Sequence, residues 1–259
     1  MSYEFTRLEM LIGEVGIEKL SSSTLVVFGI GGVGSYAVEA LARSAIGNLI
    51  LVDFDMISES NINRQIHSLE ATVGKNKVDV MKERIESINS NCNVTAVQKI
   101  INEENIEEVF RDKKIDFVLD AIDMMRAKIS LIEYCYENNL NIISSMGFGN
   151  KMNPEMIEIA NIYDTNTCPL ARTLRRILKR KGIKRLPVVY SREIPKVPNK
   201  SIIYKEEIKT EVFDGKEIPK KITPGSNSFV PPTAGMIMAS YVVRKILEEL
   251  NIRSDFMTA

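Results

Sequence analysis

The sequence predicts an α/β fold, a mostly parallel sheet with flanking helices, and two observations carry that expectation. Short runs rich in Val, Ile and Leu alternate with longer stretches whose apolar residues recur at helical spacing, the pattern of crossover units on a parallel sheet. A glycine-rich turn, Gly29-Ile30-Gly31-Gly32-Val33-Gly34, lies between the first such run and the helical stretch after it, where a first strand hands over to its crossover helix.

Residues 7–20 place Leu8, Leu11, Ile12, Val15 and Leu20 at a roughly helical period before Ser21-Ser22-Ser23 breaks it, so an amphipathic helix is expected outside the first strand. The periods then alternate as strand 24–29, helix 33–46, strand 48–53, helix 75–89, strands 93–99 and 115–120, helix 125–138 and strand 141–145. Beyond Gly149 the pattern predicts strand 156–162, a very basic helix 169–182 and strand 186–191, so the carboxyl-terminal part continues the sheet. Residues 194–228 hold Pro195, Pro198, Pro219 and Pro224 without a sustained period, and are read as partly hairpin and partly mobile. Pro231-Pro232 opens a last apolar helix, about 233–250, in which Ala234, Gly235, Ala239 and Ser240 permit close packing.

Composition excludes several classes. The 259 residues carry 34 basic and 34 acidic side chains with 44% apolar content, an ordinary globular balance in which any nucleic-acid surface must be local. Cys92, Cys135 and Cys168 form no CxxC pair, which argues against a disulfide framework or a closed zinc site and for a reducing cytoplasm. The amino terminus has no export pattern, and no run approaches the ~20 apolar residues of a membrane span.

The glycine turn gives the first functional lead. Gly29, Gly31 and Gly34 match GxGxxG in the strand-to-helix context that cradles phosphate, and the helix amino terminus presents free N–H groups to an anion. Asp53 ends the next strand, where a carboxylate accepts hydrogen bonds from ribose hydroxyls. To this point a nicotinamide oxidoreductase remains open.

The residues beyond the turn point elsewhere. GIGGVG, VDFD (52–55), SNINRQ (60–65), GKNKV (74–78) and LDAID (119–123), in this order and spacing, resemble the ubiquitin-activating-enzyme-like adenylating family. The resemblance implies ATP rather than a dinucleotide, and the added cations Arg64 and Lys77 suit a triphosphate. It places Gly29, Gly31, Gly32 and Gly34 at the phosphates, Asp53 on the ribose with Asp55 beside it, and Asn61, Arg64, Gln65 and Lys77 toward the polyphosphate. Asp123 becomes the carboxylate linked to Mg2+, and Arg7 an arginine that reaches the partner subunit's nucleotide, so that a homodimer is implied. Arg64, Lys77, Asp123 and Arg7 are then the catalytic candidates.

The family activates a carboxylate on the α-phosphate and diverges in the nucleophile that attacks next. Members that activate sulfur carriers usually hold zinc on two CxxC pairs, absent here, yet an activator of a small sulfur-carrier or ubiquitin-like protein stays the alternative. Cys168 in NTCPL sits at an expected helix start, where a thiolate is favoured, but reads as a capping or packing residue rather than the nucleophile. Further stretches, SSMGFGNK (144–151), IYDT (162–165), CPLAR (168–172), SREIP (191–195) and GSNSFVPPTAGMIMAS (225–240), are similar to the bacterial tRNA threonylcarbamoyladenosine dehydratases. That resemblance implies ATP-dependent cyclisation of a threonylcarbamoyl group on the adenosine next to the tRNA anticodon. It further implies one adenylating domain over 1–259, with a nucleotide-binding core at 21–150 and a tRNA-binding, dimer-supporting part at 151–259. A monovalent cation, Na+ or K+, at the SMGFGN loop and a sulfur-relay (cysteine desulfurase-type) partner are further candidates.

Eight cations in the fourteen residues 172–185 of a neutral protein are enough for several phosphate contacts. Arg172, Arg175, Arg176, Lys179 and Arg180 are the tRNA-binding candidates. The lone His67 reads as a hydrogen-bonded loop residue, and Asp55 and Asp120 as either magnesium-sharing groups or strand caps.

Overall fold

The computed structural model describes residues 3–199, 210–213, 216–219 and 224–250. Its centre is a seven-stranded sheet in the order β3-β2-β1-β4-β5-β7-β6. The strands are β1 (Thr24–Phe28), β2 (Asn48–Val52), β3 (Asn93–Val97), β4 (Phe117–Asp120), β5 (Ile142–Ser145), β6 (Ile157–Asn161) and β7 (Pro187–Ser191). All pairings are parallel except β6 with β7, so the carboxyl-terminal part does continue the sheet. The helices are α1 (Thr6–Ser22), α2 (Gly34–Ala42), α3 (Lys77–Ile88), α4 (Ile106–Phe110), α5 (Met125–Glu137), α6 (Pro169–Arg180) and α7 (Val230–Glu248). A separate hairpin pairs β8 (Thr210–Phe213) with β9 (Lys216–Pro219), within the segment read as partly hairpin; its expected mobility falls largely on residues outside those described.

The central strands are apolar at almost every position because both faces are covered. Leu25 and Val27 of β1 join Leu49, Leu51 and Leu119 in a core with α2, α3 and α7. Val26 and Phe28, pointing the other way, pack with Ile106, Phe110, Leu131 and Cys135 of α4 and α5. Full burial of such side chains contributes about 1.5–3 kcal/mol each. A third cluster, Ile132, Met146, Leu174, Leu178 and Tyr190, seats α6 beyond β5 and β7.

Three departures from the sequence pattern have local causes. Helix α2 stops at Ala42 rather than 46, because Ala45 takes the left-handed region (φ 59°) on the way into β2. The short helix α4 is not visible in the pattern, its five residues being too few to show a period. Helix α1 is broken at Gly13 (φ 71°, ψ 171°). Leu20 is buried and Leu8 and Ile12 pack on the core, whereas Met10, Leu11 and Val15 stay 79%, 62% and 57% exposed. No helix among the described residues is long and apolar enough to cross a membrane.

Candidate active site

The carboxyl ends of β1, β2, β4 and β5 open into a cleft of about 390 Å³. Its floor is the glycine turn. Gly29 adopts φ +85°, and a Cβ there would lie 2.6 Å from the Ala121 carbonyl oxygen, so only glycine allows β1 to run this close to the β4 loop. Gly34 starts α2, and a Cβ on it would sit 1.8 Å from the Gly29 oxygen; its role is packing beneath the cleft. The amino-terminal end of α7 closes the same corner, since a Cβ on Gly32 would meet Pro231 at 3.1 Å.

Asp53 shapes the turn from the end of β2. One carboxylate oxygen accepts the Ile30 N–H at 2.6 Å and the other the Asp55 N–H at 2.8 Å. Burial pushes this carboxyl above its ordinary range, against the pull of Lys77 and the two backbone donors. The Lys77 side chain, at the start of α3 and almost wholly buried, donates to Asp55 Oδ2 at 2.6 Å. Asn61 accepts the Ser58 N–H at 3.2 Å and caps its own turn.

Arg64 is half-buried, and desolvation lowers its proton affinity, although a guanidinium stays charged. Its Nη1 donates to the Ser60 carbonyl at 2.7 Å and to Asn63 Oδ1 at 2.9 Å, both neutral acceptors. Among the described residues no carboxylate forms an ion pair with it. A partly desolvated cation without a counter-charge, beside a lysine and a phosphate-type turn, makes the cleft a site for an anion.

The structure thus brings Gly29, Gly31, Gly32, Asp53, Asp55, Asn61, Arg64, Gln65, Lys77 and Asp123 into one cleft. Asp123 is exposed at its edge. Arg7 lies on the exposed surface of α1 and does not line the cleft of its own chain. A further wall of the cleft is made by Met146, Gly147 and Phe148, from the loop read as a candidate cation site, with Leu170, Pro224 and Ser226, which sequence reasoning did not place at the site. Segment 224–227 straps that wall to the nucleotide side, with the Asn63 side-chain amide donating to the Ser226 carbonyl at 3.1 Å and Gly225 N–H to Asn150 Oδ1 at 2.7 Å.

His67 corrects one expectation. It is buried in the loop after Arg64, but neither ring nitrogen finds a hydrogen-bond partner among the described residues. Burial, with Lys77 and Arg84 nearby, pushes its pKa down to about 4, so the ring is neutral at physiological pH. Asp55 pairs with Lys77, and Asp120 is fully buried against Lys128. Cys168 takes the cap position of α6 without a side-chain capping bond, and all three cysteines are buried.

On α6, Arg172, Arg176, Lys179 and Arg180 are exposed, and at ~100° per residue they share an arc of about 100° opposite the buried Ala171, Leu174 and Leu178. None of the four has an ion-pair partner among the described residues. Arg175 differs: its guanidinium is spent on the Thr165 carbonyl, at 2.8 Å, and on the Thr165 hydroxyl, so it clamps the turn before the helix.

Known proteins agree with this geometry. The ThiF family model matches residues 5–258. The tRNA threonylcarbamoyladenosine dehydratase of Bacillus subtilis is 43% identical over 256 residues, 98% of either chain. Its Escherichia coli counterpart is 34% identical over 92% of this chain and 91% of its own. The crystal structure of the Escherichia coli enzyme, TcdA, in complex with ATP superposes with a TM-score of 0.82 at 31% identity, covering 96% of each chain. This chain therefore belongs to the ThiF family, and within it to the group of tRNA threonylcarbamoyladenosine dehydratases.

Proposed function

We infer that this chain catalyses the ATP-dependent dehydration of threonylcarbamoyladenosine in tRNA. The observation that carries the chemistry is the uncompensated Arg64 beside Lys77 at the glycine turn, a charge pattern suited to a triphosphate. The threonine carboxylate attacks the α-phosphate, pyrophosphate leaves, and the ureido portion of the same group attacks the activated acyl carbon and expels AMP. The carboxylate oxygen departs with AMP, which accounts for the water lost. Because the nucleophile is tethered, the protein supplies position and charge, and the buried Cys168 has no step to perform. Incubation with ATP, Mg2+ and tRNA carrying threonylcarbamoyladenosine is expected to lower that nucleoside's mass by one water and to release pyrophosphate. Pyrophosphate exchange that depends instead on a small carrier protein would establish the alternative reading.

In this reading Arg64 and Lys77 hold the phosphates, Asp53 the ribose, and Asp123 the magnesium. The described residues contain no cluster of three metal-ligating groups, which fits an ion that arrives on the nucleotide and takes one protein carboxylate. A monovalent cation would be held by the loop after Ser145. A sulfur-relay partner would act by docking, since none of the cysteines is exposed.

A homodimer supplies a cover for α1. Met10 and Leu11 before the Gly13 break and Val15 after it expose apolar side chains on the helix that also carries Arg7, so a second copy seated there would bury them and bring Arg7 toward a neighbouring cleft. Sedimentation is expected to give the mass of two chains, and Leu11→Glu with Val15→Glu the mass of one with reduced turnover. A monomeric, fully active wild-type protein would refute the dimer and the role of Arg7 together.

A further inference from the structure

Beneath the cleft lies a buried ion pair that the reaction scheme does not use. Lys128 on α5 and Asp120 at the end of β4 both have side chains fully removed from solvent. The ammonium donates to Asp120 Oδ2 at 2.7 Å, to the Ser144 hydroxyl oxygen at 3.1 Å and to the Ser145 carbonyl at 3.0 Å, so all three of its protons are placed. The Ser144 hydroxyl donates to Asp120 Oδ2 at 2.5 Å, and Asp120 Oδ1 accepts the Ile122 N–H at 3.1 Å.

Stability alone is a weak reason for such a pair. Two charges taken out of water cost more than well-packed apolar side chains of similar size, and a buried pair is best explained where it fixes one arrangement. This one ties together two loops that both line the cleft. Through Ile122 it holds the turn that presents Asp123, and through the Ser145 carbonyl it holds the start of the Met146–Gly149 wall.

We propose that Lys128 is a positioning residue for the adenylation step, its ammonium setting the spacing between the Asp123 turn and the Met146–Gly149 wall. It touches no substrate in this role. The glycine turn, Asp53 and Arg64, which hold the phosphates and ribose in the proposed reading, make no hydrogen bond to it among the described residues, so its loss is expected to fall more on the chemical step than on nucleotide affinity.

The test compares Lys128→Met with a Lys128→Met, Asp120→Asn double variant, in which the new amide at position 120 keeps an acceptor for the Ile122 N–H and no charge is left buried. The inference rests on the dehydration reading only for its readout. In the double variant kcat on modified tRNA is expected to fall roughly ten- to a hundredfold, the scale of a small misplacement of reacting groups, with ATP Kd within about threefold and an ATP-binding stoichiometry equal to wild type. Lys128→Met is expected to lose at least as much, through lower kcat or through misfolding around the unpaired Asp120. A folded double variant with wild-type kcat overturns the proposal, as does a loss of ATP binding in step with kcat, which marks a general structural role. Absence of turnover in the wild-type protein counts against the dehydration reading instead.

Discussion

Arg64→Ala is expected to slow ATP-dependent dehydration of modified tRNA by about 10²- to 10³-fold, the loss caused by removing one fixed group from a developing charge. The fold should survive, because the guanidinium's partners are the Ser60 carbonyl and Asn63 side chain, and neither becomes a buried unpaired charge when the arginine goes. Lys77→Ala should cost a similar factor by a different route. In the free protein its ammonium rests on Asp55 at 2.6 Å, and the Asp55 side chain is 47% exposed. Water can therefore take over from the lysine at Asp55, although the buried Asp53 carboxyl also loses the pull of Lys77, and the main loss falls on the phosphates. If the two cations act on the same leaving pyrophosphate, their combined effect is smaller than the product of the single effects. Single-turnover rates with saturating ATP measure both variants. A rate within about threefold of wild type for Arg64→Ala would remove Arg64 from the chemistry, and tight NAD binding indifferent to Lys77→Ala would return the cleft to the oxidoreductase reading.

The parts of this site that were legible in the sequence are those that local chemistry determines. The Gly29 and Gly34 positions reflect steric limits at a strand-to-helix turn, and the structure gives those limits as 2.6 and 1.8 Å. Asp53 is marked by its place at the end of the next strand. Arg64, Lys77 and Asp123 were legible through the family resemblance that their motifs carry, and all three line the cleft. Lys128 was not, because a lysine one turn into a helix reads as an ordinary surface charge; only the meeting of α5 with β4 and β5 makes it buried. Leu170, Pro224 and Ser226 come from segments remote from the glycine turn, and nothing local marks them as neighbours. The helical period of α1 was sound, but Leu11 and Val15 show its limit: an apolar face predicts that something covers it, without saying whether the cover is the same chain.

The exposed face of α6 gives the second large effect, on tRNA alone. Arg176→Glu with Arg180→Glu is expected to raise KM for modified tRNA about tenfold or more and to lower the slope of log affinity against log salt by roughly 1.4–1.8, the contribution of two released counter-ions. ATP Kd should not change, because only Leu170 of this helix reaches the cleft. The neighbouring cations supply the controls. Lys181 pairs with Glu133 on α5, and Arg175 is held by Thr165, so Arg175→Glu should lower thermal stability more than it changes the salt slope. Arg172, Arg176, Lys179 and Arg180 have no carboxylate partner among the described residues and share one arc, and their reversal should show the opposite pattern. A basic helix that merely solvates the protein predicts no difference between the two sets. An unchanged salt slope in Arg176→Glu with Arg180→Glu would therefore leave α6 a solvated surface and move the phosphate contacts elsewhere on the chain.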